Sequence, residues 1–212
     1  LRLVGSEMCI RDSNKAVRLI MQAAEKNALR GVHGPVANLM TTDKRYAVAI
    51  EIALGGNQQN IVTEDTETAK AAIAFLKRKH LGRVPSLPLS TLSVQYPKDR
   101  EKEAERGAGA IGWANELVEV EERYRKAADF LLARILVVDT LDNALALAKK
   151  QDYRLRIVTL SGEFLAPGGS LSGGGRAHRE ASFLNRSGEI ESLHEKRTAA
   201  RKKLKEKQAE VQ

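Results

Sequence analysis

The chain has 212 residues, 42% of them apolar, with 35 lysines and arginines against 27 acidic residues and a formal net charge of +8. That suits one domain with an appendage, and no apolar run approaches the roughly 20 residues of a membrane span. A single cysteine, Cys9, excludes a disulfide framework or a cysteine-built zinc site, and an aromatic content of 4% leaves few rings on which bases could stack.

Residues 1–13 read as foreign. The string Val4-Gly5-Ser6-Glu7-Met8-Cys9-Ile10-Arg11-Asp12-Ser13 resembles translated sequencing-adapter read-through, and the expectation is an artefactual tail to be set aside. It lacks the basic start and apolar stretch of a secretory signal, so an intracellular, cytoplasmic location is expected. Residues 14–29 carry Val17, Ile20, Met21, Ala24 and Ala28 at helical spacing, with Gly31 as the stop. Gly34-Pro35 is a turn, and 36–40 a short strand or loop. Thr42 or Asp43 should cap a helix running to Leu54, ended by Gly55-Gly56.

A strand over 60–63 leads into a helix over 67–79, capped by Asp65 or Thr66, whose apolar face is Ala69, Ala72, Ile73 and Leu76. A strand edged by Pro85 and Pro88 follows over 84–89. Residues 98–110 are charged and then rich in Gly and Ala, and read as a surface connection. A helix over 124–133, a strand over 135–138, a helix over 141–150 opened by Asp139-Thr140, and a strand over 157–160 complete the series.

The run Ile61-Val62-Thr63-Glu64-Asp65-Thr66 is echoed by Ile135-Leu136-Val137-Val138-Asp139-Thr140, each a strand feeding a capped, alanine-rich helix and a second strand. The fold class expected is therefore α+β, a mixture of helix and sheet in two small subdomains joined through 98–110. Chance likeness of two ordinary units is the competing reading. From 176 onward there is one glycine and no proline. Ile190, Leu193, Arg197, Ala200, Leu204, Lys207 and Val211 keep a three-four spacing, which is the a/d seam of a coiled coil or the apolar face of a single helix.

Chemistry-bearing motifs are sparse. No Gly-Lys pair exists, so no P-loop is encoded. Leu171-Ser172-Gly173-Gly174 imitates the four-residue signature of ABC-type ATPases, but it follows a strand and a Pro-Gly-Gly turn. His33, His80, His178 and His194 share no metal-ligand spacing, and no catalytic set is found. Gly168, Gly169, Gly173 and Gly174 make the most unusual composition. They read either as a flexible linker or, because Phe164, Leu165, Pro167 and Leu171 flank them, as an ordered edge approached closely by a second subunit. The basic run with Lys196, Arg197, Arg201, Lys202 and Lys203 reads as a solvated helix face or as phosphate contacts.

Gly31-Val32-His33-Gly34-Pro35-Val36-Ala37, Tyr46 through Gly56, Asn60-Ile61-Val62, Leu136-Val137-Val138-Asp139, Arg156 through Gly162 and Pro167 through Gly174 together resemble the hinge of bacterial SMC (structural maintenance of chromosomes) proteins. The likeness covers about 15–175. It implies a hinge domain over 14–175 followed by the start of a coiled-coil arm over 176–212, and an SMC hinge-like fold. It implies a homodimer in which Gly168, Gly169, Gly173 and Gly174 serve the interface, joining two arms and assisting DNA entrapment. Arg176, Arg179, Lys196, Arg197, Lys202 and Lys203 are the DNA-contact candidates. ATP and Mg, with kleisin and accessory subunits, would belong to ATPase heads outside this fragment, which itself needs no cofactor and is not an enzyme. The alternatives are a DNA-binding module with secondary dimerisation, and a nucleotide-using fragment built on the Leu-Ser-Gly-Gly match.

Overall fold

Short apolar runs bounded by glycines and helix caps divide the chain into two halves of one plan. The computed structural model describes residues 4–174. The first half contains α1 Val4–Glu25, β1 Val32–Pro35, α2 Val36–Leu39, β2 Met40–Thr42, α3 Ala47–Leu54, β3 Ile61–Thr63, α4 Thr66–Arg78 and β4 Ser86–Pro88. The second contains α5 Asp99–Lys102, β5 Ala110–Trp113, β6 Val118–Val120, α6 Arg125–Leu132, β7 Ile135–Val138, α7 Leu141–Lys150 and β8 Arg156–Thr159. It is extended by β9 Phe164–Leu165 and β10 Leu171–Ser172.

The strand–helix–strand units read from the sequence are both present. β3 pairs with β4 in parallel and β7 with β8 in parallel, while β1 and β5 lie antiparallel to β3 and β7. Both antiparallel pairs shift register at the same place, between Val32 and Gly34 and between Ala110 and Gly112. Ile61-Val62-Thr63 and Leu136-Val137-Val138 occupy equivalent rungs opposite β1 and β5. The structural repeat therefore aligns one residue away from the match of letters. The cap shows why: Asp65 Oδ1 accepts from the Thr68 N–H at 2.8 Å, whereas Thr140 Oγ1 accepts from the Asn143 N–H at 3.4 Å. The capping role passes from aspartate to the residue after aspartate.

The halves meet through their equivalents. β2 and β6 pair with each other antiparallel, Met40 opposite Val120, Thr41 opposite Glu119 and Thr42 opposite Val118. One apolar core takes Val36, Met40, Ile50, Leu54 and Val62 from the first half and Val118, Tyr124, Leu132, Ile135 and Val158 from the second. His33 ties the two further, its Nδ1 3.2 Å from the Tyr124 hydroxyl and its Nε2 2.8 Å from Glu64. Each half keeps a smaller core of its own. In the first, α1 and α4 enclose Ile20, Leu29, Ile61 and Leu76. In the second, Ala104, Trp113, Leu136, Leu147 and Leu165 are enclosed.

Several sequence expectations are corrected. α1 begins at Val4, ahead of the start read at Asn14, and ends at Glu25, where Asn27 at φ 56° closes it instead of Gly31. Residues 36–39 form a single helical turn. Asp43 does not cap α3; its carboxylate accepts from the Arg45 N–H at 2.9 Å in a preceding turn, and the helix starts only at Ala47. Residues 98–106 are not a bare connection but two helical turns with Ala104 buried. Gly34-Pro35, read as a turn, is the end of strand β1, and β1, β2, β5, β6 and β9 are not anticipated as strands. Ile73, placed on the buried face of α4, is 44% exposed. Ala69, Ala72 and Leu76 already complete that face at i, i+3 and i+7.

Candidate functional site

The closing segment after β8 is a built hairpin. Leu165 is buried and anchors β9, which pairs antiparallel with β8, and β10 pairs with β9 through Leu171 opposite Leu165 and Ser172 opposite Phe164. Between them, Pro167 and Gly168 occupy the central positions of a turn in which the Gly169 N–H donates to the Ala166 carbonyl at 3.1 Å. Gly168 has φ 87°, a conformation that proline followed by glycine supplies without strain. The Gly168 N–H donates to the Tyr153 carbonyl at 2.8 Å, fixing the turn to the end of α7. At its base, Thr159 bonds Glu163 through both hydroxyl and backbone. Of the two readings of this glycine-rich stretch, an ordered edge describes it and a flexible linker does not.

The four glycines flank the exposed strand instead of lying in it. Gly168 and Gly169 are at the turn; Gly173 and Gly174 follow β10. A Cβ at Gly173 would lie 3.1 Å from Glu163 Cγ, while one at Gly168 or Gly174 would meet nothing within 4 Å. The outer surface there is bare backbone. β10 ends the five-stranded order β10-β9-β8-β7-β5, and its Leu171 is 50% exposed. An unpaired edge with a half-exposed leucine is a surface that soluble proteins ordinarily cover or charge. Of Leu171-Ser172-Gly173-Gly174, the first two residues are thus the edge strand and the two glycines follow it, and their amides do not head a helix among the described residues.

The other half ends differently. In the order β1-β3-β4, the outer strand β4 is bounded by prolines. The Ile61 N–H donates to the Pro85 carbonyl and the Leu89 N–H to the Thr63 carbonyl, both at 2.9 Å, so the intervening Ser86 turns its peptide groups outward. Beside this edge runs an apolar groove of about 570 Å³ lined by Ile73, Leu81, Val84 and Pro85, with Lys77 and Arg83 at its margin. Sequence reading missed this groove because it treats every apolar residue at helical spacing as core. The signal was available: Ile73 is surplus to a face already complete.

Arg176, Arg179, Lys196, Arg197, Lys202 and Lys203, and the coiled-coil seam, lie outside the described residues. Among the described residues no group of His, Cys, Asp and Glu could hold a metal, and no helix is long and apolar enough to cross a membrane.

Comparison with known proteins adds an independent line. The family described as "SMC proteins Flexible Hinge Domain" matches residues 29–148. The chain is 39% identical over 180 residues to the chromosome partition protein Smc of Bacillus subtilis, covering 84% of this chain and 15% of that protein. It is 40% identical over 195 residues to the same-named protein of Desulfitobacterium hafniense, covering 91% of this chain and 16% of that one. The chain thus spans about a sixth of the length of these relatives. Among solved structures, an asymmetric dimer of the Geobacillus stearothermophilus SMC hinge domain aligns with a TM-score of 0.78 at 39% identity, over 85% of this chain and 72% of that one. The Pyrococcus furiosus SMC hinge domain aligns at 0.61 and 26% identity, over 85% and 95%.

Proposed function

This chain belongs to the family of SMC flexible hinge domains, and from that premise we propose that it joins two copies of a long chromosome-partition protein by pairing the β10 edge of one copy with the β4 edge of the other. One observation carries the reading: β10 is held rigidly in register by its hairpin, yet presents an unpaired edge and the exposed Leu171. β4 offers the counterpart, a short proline-limited edge beside an apolar groove that Leu171 can enter. Because one copy carries both surfaces, a two-fold pair makes each contact twice and closes on itself. Some 800 Å² per partner is enough for such an interface. The glycines flanking β10 serve by keeping side chains out of the approach.

In the whole protein, this contact would link two coiled-coil arms and help enclose DNA between them. ATP hydrolysis and kleisin contacts would reside in parts of the protein beyond this chain. The solution mass of the intact chain tests the reading. The wild type is expected as a dimer, and Gly173→Asp with Gly174→Asp as a monomer, since one new carboxylate would crowd Glu163. Leu171→Asp repeats the test without altering a glycine. Folded dimers of both variants, by light scattering and circular dichroism, would overturn it.

A further inference from the structure

Helices α4 and α7 end in the same way. The second residue past each helix is left-handed, His80 at φ 50° and Asp152 at φ 52°. Two backbone bonds then close each end. The Leu81 N–H donates to the Leu76 carbonyl at 3.0 Å and the His80 N–H to the Lys77 carbonyl at 3.1 Å. After α7, the Tyr153 N–H donates to the Ala148 carbonyl at 2.8 Å and the Asp152 N–H to the Lys149 carbonyl at 3.2 Å. Such a pair satisfies carbonyls that a helix leaves free. It accounts for His80 and Asp152, both of residue types that tolerate a left-handed backbone.

The second half then departs from the first. Tyr153 also has a positive φ, 54°, whereas Leu81 is not among the left-handed residues. A bulky aromatic in that conformation is strained. The end of α7 does not need it, since Leu81 completes the same pair of bonds without it. Burial does not explain it either, because Tyr153 is 41% exposed. Its other contacts do. The Tyr153 carbonyl accepts the Gly168 N–H at 2.8 Å. A Cβ at Gly169 would lie 3.5 Å from Tyr153 Cδ1, so the ring stands beside the Gly169 backbone. Both contacts fall on the turn of the β9–β10 hairpin. The first half stops at β4 and has neither the hairpin nor the extra left-handed residue.

On the reading that β10 pairs with a second copy, we infer that Tyr153 is a positioning residue for that pairing: its strained backbone and its ring fasten the hairpin turn to α7 and so fix where the β10 edge is presented. Strain of this kind persists only where neighbouring structure over-determines it. Here the N–H is held by α7 and the carbonyl by the hairpin.

The test uses the full chain with three substitutions. Tyr153→Phe keeps the ring and is expected to dimerise like the wild type. Tyr153→Gly adopts the left-handed backbone freely but has no ring. Tyr153→Val has no ring and, being β-branched, resists positive φ. Dimer affinity, from sedimentation over a concentration series, is expected to fall about threefold in the glycine variant and about tenfold in the valine variant. Hydrogen exchange of the Gly168 amide, followed where the chain is monomeric, should quicken in the same order. The unfolding midpoint is compared in a Leu171→Asp background, where pairing contributes nothing. There Tyr153→Gly should not lower it, since the strain is relieved. A lowered midpoint with unchanged affinity would reduce Tyr153 to the end of α7 and overturn the inference. Wild-type affinity with a fully protected Gly168 amide in Tyr153→Gly would overturn it too, and leaves the pairing of β10 standing. A monomeric wild type would instead sink the pairing itself, and the role of Tyr153 with it. Should the valine variant not fold, the glycine and phenylalanine variants decide.

Discussion

Gly31 and Gly109 hold the same place in the two halves, at φ 80° and 74°, and each carbonyl accepts a backbone N–H from the end of the following central strand, Glu64 at 2.8 Å and Asp139 at 2.9 Å. Tyr46 and Tyr124 likewise precede equivalent helices, each under the guanidinium of the arginine before it, 4.4 and 4.5 Å from the ring centre. Against this common frame the edges diverge. The first half stops at β4, with prolines and a groove; the second continues into the β9–β10 hairpin. The repeated plan gives two similar scaffolds that pack through their equivalent elements. The unequal edges then give each copy two different surfaces, which is what the proposed two-fold pairing requires.

The strongest challenge to that equivalence is in the shared core. Leu54 and Leu132 close α3 and α6 and are both essentially inaccessible. Leu54→Ala and Leu132→Ala are each expected to cost about 2–5 kcal/mol of unfolding free energy. Denaturant midpoints should fall together, and a large disparity would show that one half bears the core alone.

A subtler contrast concerns the two glycines. A Cβ at Gly109 would sit 2.1 Å from Asp139 Oδ1 and 2.4 Å from Asn143 Nδ2, whereas at Gly31 the nearest atom is Thr68 Oγ1 at 2.7 Å. Both substitutions also meet a positive φ. Gly109→Ala is therefore expected to cost about 3 kcal/mol and Gly31→Ala about 1–2 kcal/mol, because the threonine hydroxyl can rotate away while the Asp139–Asn143 pair is held by its own hydrogen bonds. Thermal unfolding of the two variants orders them, and the reverse order would refute this account of the second half.

The smallest effect is at the caps. Asp65→Ala and Thr140→Ala should each cost about 1 kcal/mol. Their acid response separates them. The Thr68 backbone N–H holds the Asp65 carboxyl below its ordinary value of 3.8. Its stabilisation is thus present above that value and lost as pH falls through the lower, folded one. Asp65→Asn keeps a cap but should flatten this part of the acid limb. In the second half the capping hydroxyl does not titrate. There the acid response falls to Asp139, which the Asn143 side chain and the Thr140 backbone hold down, so Asp139→Asn rather than Thr140→Ala should flatten it. Stability measured against pH for the pair checks this.

Much of the scaffold was legible in the sequence. β3, β7 and their helices are apolar runs followed by caps, and the parallel units they begin are present with bounds shifted by a residue or two. The likeness to SMC hinges, carried by ordered motifs, agrees with the family match. The tertiary structure decided the rest. β2, β5 and β6 lack the apolar run and following helix cap that mark β3 and β7, and exist because each finds a partner strand. Gly109 reads as a residue of the surface connection and Gly112 carries no reading, yet their positive φ values let β5 bulge and pair with β7.

Residue pattern alone determined where the helices α4, α6 and α7 begin to within a residue, and that the closing glycines stand among apolar neighbours. It could not determine that Ile73 faces outward, that Arg134, Arg154 and Arg156 line one cleft, or that β10 ends a sheet with its edge open. Periodicity and capping act within one element and are written locally. Exposure of a face, crowding of like charges and freedom of a strand edge depend on which distant segment arrives to cover them, and that is settled only when the two halves pack.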